Sequence, residues 1–174
     1  MDNAEKPTLR TFPVWKTVKI GRFDVKGPLP YYKAMEKSEC DICDDFADVL
    51  AKTTFATEEK SVQLVRITQE DLGLDASAPY HKFNNVAVKS GLIRPNAEIA
   101  SALRLDYQEQ GDEDCLFGTV PVDRYAKEGA IGRFILRLSY SRGKLSVGMS
   151  YCPWDCAHPF HRFVFVQPSE ATTK

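Results

Sequence analysis

Two clusters of zinc-type donors stand in this chain: Cys40-Asp-Ile-Cys43, and Cys152-Pro-Trp-Asp-Cys156 followed by His158 and His161. Thiolate sulfur and imidazole nitrogen are the ligands of tetrahedral zinc. The second cluster supplies four of them, Cys152, Cys156, His158 and His161, within the ten residues of one proline-containing loop. The first pair opens a helical pattern and lacks the glycine or aromatic neighbours that let two sulfurs converge. Cysteine is also a small buried hydrophobe, and the expectation is therefore no bound metal or cofactor, with zinc at the 152–161 loop as the alternative. Cys156 with His158 or His161 and Asp155 has the residue types of a thiol nucleophile and its base. Neighbours in sequence rarely turn their side chains toward one another, and no flanking motif supports a thiol enzyme. Five cysteines, an odd number, argue against a disulfide framework.

The other chemistry is charge. Lys and Arg number 23 against 24 Asp and Glu, a net charge of −1, which removes any bulk electrostatic case for nucleic acid or membrane. The charge is sorted along the chain: +4 over residues 1–35, −7 over 36–75, +3 over 76–104, −5 over 105–129 and +4 over 130–174. Glu36, Glu39, Asp41, Asp44, Asp45 and Asp48 form an acidic block, and Arg133, Arg137, Arg142, Lys144 and Arg162 a basic set. Asp41, Asp44, Asp45, Asp48, Arg133 and Arg137 are the candidate partner-binding residues, on an acidic helix and on a polar sheet face. A flat face with Arg133, Arg137 and Lys144 among Ser139, Ser146 and Ser150 could receive a phosphate backbone, with Tyr107, Tyr125 or His161 stacking on a base. The bland alternative, a solvated sheet face, fits the negative total charge better. Neither a phosphate-binding loop, a dinucleotide fingerprint, a His-Glu-x-x-His nor a Gly-x-Ser-x-Gly occurs.

The elements that must position these residues follow from periodicity. Residues 15–20 alternate weakly before Gly21 and suit a first strand. Pro28 or Pro30 can occupy a first helical turn, where a missing N–H costs nothing. Ile42, Phe46, Val49 and Leu50 recur at helical spacing and predict an amphipathic helix over 41–52, its acids on the wet face. Residues 62–67 read as a buried strand. Thr68 and Asp71 have the spacing of a capping box opening one short turn that ends at Gly73. A second helix is predicted over 79–90, stopped by Gly91, and Pro95 to Leu103 can open another. Period-two patterning then predicts strands at 103–107, 116–120, 132–140, 144–151 and 162–166, with Ser141-Arg142-Gly143 as a hairpin turn. Phe46, Leu50, Phe134, Leu136, Leu138, Val147 and Phe163 are the expected core.

The fold class expected is therefore α+β: an antiparallel sheet ending in a C-terminal meander, with two or three helices packed on one face. A chain of 174 residues with 43% hydrophobic residues suits one domain, taken as residues 13–168 between a loose tail at 1–12 and another at 169–174. The longest apolar runs, Phe134-Ile-Leu136 and Phe163-Val-Phe-Val166, are far short of the about 20 residues of a membrane helix. Met1-Asp2-Asn3-Ala4-Glu5-Lys6 does not read as a secretory signal, so a cytoplasmic protein is expected. The segments 15–21, 45–55, 62–67 with 71–73, 103–105 and 162–165 resemble a family of small uncharacterised bacterial and mobile-element proteins, over about residues 14–166. That resemblance implies a prokaryotic or phage source and no activity. The function expected is non-enzymatic binding of a protein partner through the acidic helix or the polar sheet face. A zinc-stabilised or nucleic-acid-contacting module, or a hydrolase with a dispersed site, are the alternatives.

Overall fold

The structure, a computed structural model, describes residues 10–111, 113–125, 131–151 and 162–168. Its elements run β1 (Lys16–Ile20), α1 (Pro28–Lys37), β2 (Asp41–Ile42), α2 (Asp44–Ala51), β3 (Lys60–Ile67), a 3-10 turn (Glu70–Leu72), α3 (Tyr80–Lys89), α4 (Ala97–Asp106), β4 (Cys115–Phe117), β5 (Val122–Tyr125), β6 (Ile131–Ser141), β7 (Lys144–Tyr151) and β8 (Phe163–Gln167). No helix among the described residues is long and apolar enough to cross a membrane.

The strands form one mixed sheet in the order β1-β3-β8-β4-β6-β7-β2, with β5 added to β6. This corrects the expected antiparallel meander: β4 runs parallel to β8, and β2 parallel to β7. The last strand takes the middle of the sheet, between β3 and β4. Helices on one face only is also corrected. One core holds Tyr31 and Met35 of α1, Phe46 and Leu50 of α2 and the inner side of α4 against Val18, Leu64, Phe117, Leu138, Val147 and Val164. A second core lies on the opposite face, where Leu72 and α3, through Tyr80, Phe83 and Ala87, meet Val65, Ile67, Leu116, Ile135, Phe163 and Phe165. The four consecutive residues Phe163 to Val166 are all buried because β8 is covered on both sides.

The 41–52 helix divides in two. Asp41 and Ile42 form β2 beside Ser146 and Val147, and the helix begins only at Asp44. The strand expected at 103–107 is instead the end of α4. Asn96 caps that helix, its side chain accepting from Ile99 N at 3.1 Å, and every residue from Ala97 to Arg104 is buried. A helix buried nearly all round lacks the one-sided stripe that period-reading requires. Phe134 is half-buried against Tyr151 and does not join either core, in contrast to the other six expected core residues. Residues 10–12, placed in the tail by the sequence, are joined to the fold: Arg10 N donates to Ser90 O at the end of α3, and Phe12 sits in the second core.

Two buried charges organise the first core. Arg104 is 1% exposed; its Nη1 donates to Gln110 Oε1 at 2.6 Å and its Nη2 to the Tyr107 carbonyl. Gln110 in turn donates to Glu113 O and Leu138 O, tying the chain just after α4 to β6. Glu98, in the first turn of α4, accepts from Gly21 N at 2.9 Å, Tyr31 Oη at 3.0 Å and Ala56 N at 2.8 Å, so one carboxylate joins the end of β1, α1 and the loop before β3. Burial, then the Glu98 charge, holds the Tyr31 phenol well above its ordinary pKa. Gly21 has φ +66°, and a Cβ there would stand 2.1 Å from Glu58 O, so only glycine fits.

Candidate functional site

One acid of the acidic block, Asp41, meets Arg137 and Lys144 of the basic set at the β2 edge of the sheet. The β6–β7 hairpin turns on Arg142 and Gly143, both with positive φ (53° and 79°) as a two-residue type I′ turn requires. Its register pairs Arg137 with Gly148 and Ser139 with Ser146, and β2 then places Asp41 beside Ser146. Asp41, Ser146 and Ser139 thus form one row, and Arg137 stands in the next. A groove of about 280 Å³ runs over them, lined also by Cys43 and Met149.

Within that groove Arg137 Nη2 lies 3.0 Å from Asp114 Oδ1, and the Ser139 and Ser146 hydroxyls lie 2.6 Å apart. Asp114 is the partner that sequence spacing missed: it precedes β4, whose pairing with β6 sets Cys115 beside Leu138. Asp41 Oδ1 is 3.6 Å from Lys144 Nζ, both side chains about two-thirds exposed (64% and 63%), so the pair contributes at most about 1 kcal/mol. Arg133 shares the face of Arg137 and stands opposite Asp123 in the β5–β6 register.

Asp44, Asp45 and Asp48 lie on the exposed side of α2, with Phe46 and Leu50 buried on the other. Asp44 and Asp45 occupy the first turn, where carboxylates meet the positive end of the helix dipole. Asp48 acts on Tyr32, whose phenol donates to Ala47 O at 2.6 Å and whose pKa is raised by burial first and by the Asp48 charge second. Glu36 and Glu39 are exposed at the end of α1, extending the acidic surface toward β2. Asp41 belongs to the sheet edge and not to the acidic helix, which is a correction forced by its pairing with Ser146.

The thiols divide by burial. Cys40 and Cys115 are buried and Cys43 is exposed. Burial pushes the Cys40 and Cys115 thiols up to about 11, with the Arg104 charge acting in the opposite direction at both. Among the described residues no three His, Cys, Asp or Glu side chains are placed to hold a metal. Cys152, Cys156, His158 and His161 lie outside the described residues, as does the Tyr125 side chain. Tyr107 is not brought to the polar face: it packs edge-on to Trp15, with Lys16 Nζ 4.2 Å above its ring, in the first core. No family model, curated protein or solved structure matches the chain.

Proposed function

We propose that the protein works by binding another protein, and that its contact surface is the acidic edge formed by the end of α1, β2 and α2. The observation that carries this is the separation within residues 35–50: Glu36, Glu39, Asp41, Asp44, Asp45 and Asp48 are all exposed, and Met35, Cys40, Phe46 and Leu50 between them are buried. The charges therefore sit on a backbone fixed by the core, so a partner binds without ordering the segment first. The sheet edge beside them offers main-chain groups as well. β2 covers only Ser146 and Val147 of β7. Cys43 N donates to Val147 O, so by strand alternation the Met149 and Tyr151 backbone groups face the same outer edge, and no described strand pairs with them. An extended, lysine-rich segment adding along β7 would satisfy these groups and lie beside the carboxylates.

A labelled peptide of alternating lysine and valine, titrated by fluorescence anisotropy, tests this. Binding is expected to weaken as salt rises. The pair Asp44→Lys and Asp48→Lys is expected to weaken it tenfold or more, with the melting temperature lowered by only the few degrees that reversing a first-turn charge on α2 costs. Equal binding by that variant, or binding indifferent to salt, refutes the proposal.

A further inference from the structure

A second, larger groove lies at the other end of the sheet, away from the acidic edge, and has a volume of about 600 Å³, within the range of small-molecule sites. One wall is the segment Phe12-Pro13-Val14-Trp15; the other is the end of β3 with the turn after it, Arg66, Ile67, Thr68, Glu70 and Asp71; Arg162 stands at the start of β8. Arg66 is the informative residue. Its side chain is only 9% exposed, its guanidinium lies 4.7 Å above the Trp15 ring, and its Nε has no hydrogen-bond partner among the described residues. Its counter-ion, Glu113 at 2.7 Å, is itself 61% exposed and so can be exchanged. Of the two acids on the wall, Asp71 is occupied: its Oδ2 accepts from Thr68 N at 2.7 Å and Thr68 Oγ1 at 2.9 Å. Glu70 is exposed at the rim. The groove thus combines a stacked, under-bonded arginine, a second and exposed arginine, and an apolar wall that includes the half-exposed Val14.

We propose that this groove binds a small molecule with an apolar body ending in an oxyanion, a carboxylate or a phosphate monoester. Arg66 and Arg162 receive the anion, and Phe12, Pro13, Val14 and Trp15 cover the apolar part. Planar, forked donors suit both anions, and the Trp15 face against Arg66 keeps the guanidinium fixed in plane.

Phenyl phosphate, benzoate and inorganic phosphate are the probes, followed by calorimetry and by Trp15 fluorescence in a Trp154→Phe chain. Phenyl phosphate or benzoate is expected to bind and to perturb Trp15, and whichever binds more tightly identifies the anion. Inorganic phosphate is expected to bind at least tenfold more weakly than phenyl phosphate because it lacks the apolar body. Arg162→Ala is expected to weaken binding about tenfold, and Arg66→Gln to abolish it. Should Arg66→Gln fail to fold, Glu113→Ala decides, since freeing Arg66 of its counter-ion is expected to tighten binding severalfold. No binding of either aromatic probe up to about 10 mM, the weak end for so small a ligand, overturns the proposal. So does binding that Arg162→Ala leaves unchanged, or that Glu113→Ala does not tighten.

Discussion

Replacing Glu98 by glutamine tests how the first core is held together, because the change keeps the shape of the side chain and alters one atom's role. Glu98 Oε1 accepts from Gly21 N and Tyr31 Oη, and Oε2 from Ala56 N. In Glu98→Gln the amide oxygen can keep the first two bonds, but the amide nitrogen then faces the Ala56 N–H, donor against donor. One unmet buried donor costs about 1–3 kcal/mol. The two remaining bonds fall from charge-assisted to neutral strength, a loss of about 1 kcal/mol each. Relief of the buried charge offsets part of this, leaving a net destabilisation of about 2–4 kcal/mol. A chain of this size shifts its melting temperature by roughly 2–4 °C per kcal/mol, so a fall of about 5–15 °C should accompany it. Urea unfolding followed by near-UV circular dichroism, with a common m-value, measures the difference directly. Tyr31→Phe, which removes a single donor, should cost only about 0.5–1.5 kcal/mol. A loss below about 1 kcal/mol for Glu98→Gln would show that water already satisfies these groups, and the carboxylate would not be the junction of β1, α1 and the loop before β3.

Leu136→Ala should cost about 2–5 kcal/mol in urea unfolding as a buried deletion, and Phe134→Ala clearly less, because Phe134 is only partly buried, over Gly132 and against the exposed Tyr151. Gly118→Ala should destabilise by about 1–3 kcal/mol in the same assay, since its Cβ would come within 2.0 Å of the Phe165 ring. Alkaline pH should unfold the protein: Cys40 and Cys115 titrate at about 11 when folded and at about 8.5 when unfolded. The folded chain therefore holds its thiol protons more tightly, so the stability they contribute is complete below about pH 8.5 and is lost as pH rises toward 11. Replacing both by alanine should flatten that dependence between about pH 8.5 and 10, above which the raised Tyr31 phenol still contributes. In a chain carrying Cys152→Ser and Cys156→Ser, a thiol reagent should modify Cys43 at once and the two buried cysteines only on unfolding.

The parts of this fold legible from sequence are those decided within a few residues. The β6–β7 register follows from alternation on both strands and from a turn that Gly143 permits, and Thr68 with Asp71 closes the short turn as its spacing implied. What was hidden depends on partners distant in the chain. The run Phe163 to Val166 carried the sign of a strand buried on both faces, yet nothing nearby said that β3 and β4 would flank it. Leu103, Leu105 and Tyr107 alternate as a strand would, because α4 is buried on nearly every side and even takes Arg104 inward. β2, two residues long, has no period to read, so the meeting of Asp41 with Ser146 and the Arg137 groove could not be foreseen. The pairing of Arg137 with Asp114 was hidden for the same reason: it depends on how β4 aligns with β6.

The position of β8 has a consequence for how the chain acquires its fold. During synthesis β3 and β4 emerge long before the strand that joins them, and until Phe163 to Gln167 leave the ribosome each presents an unpaired edge with apolar rows on both sides. The hairpin of β6 and β7 can form early from local contacts, but neither core is complete without Val164 and Val166 on one side and Phe163 and Phe165 on the other. Completion of the fold is therefore expected to wait on one long-range closure, slow in the manner of non-local topologies and helped by protection of those edges in the meantime.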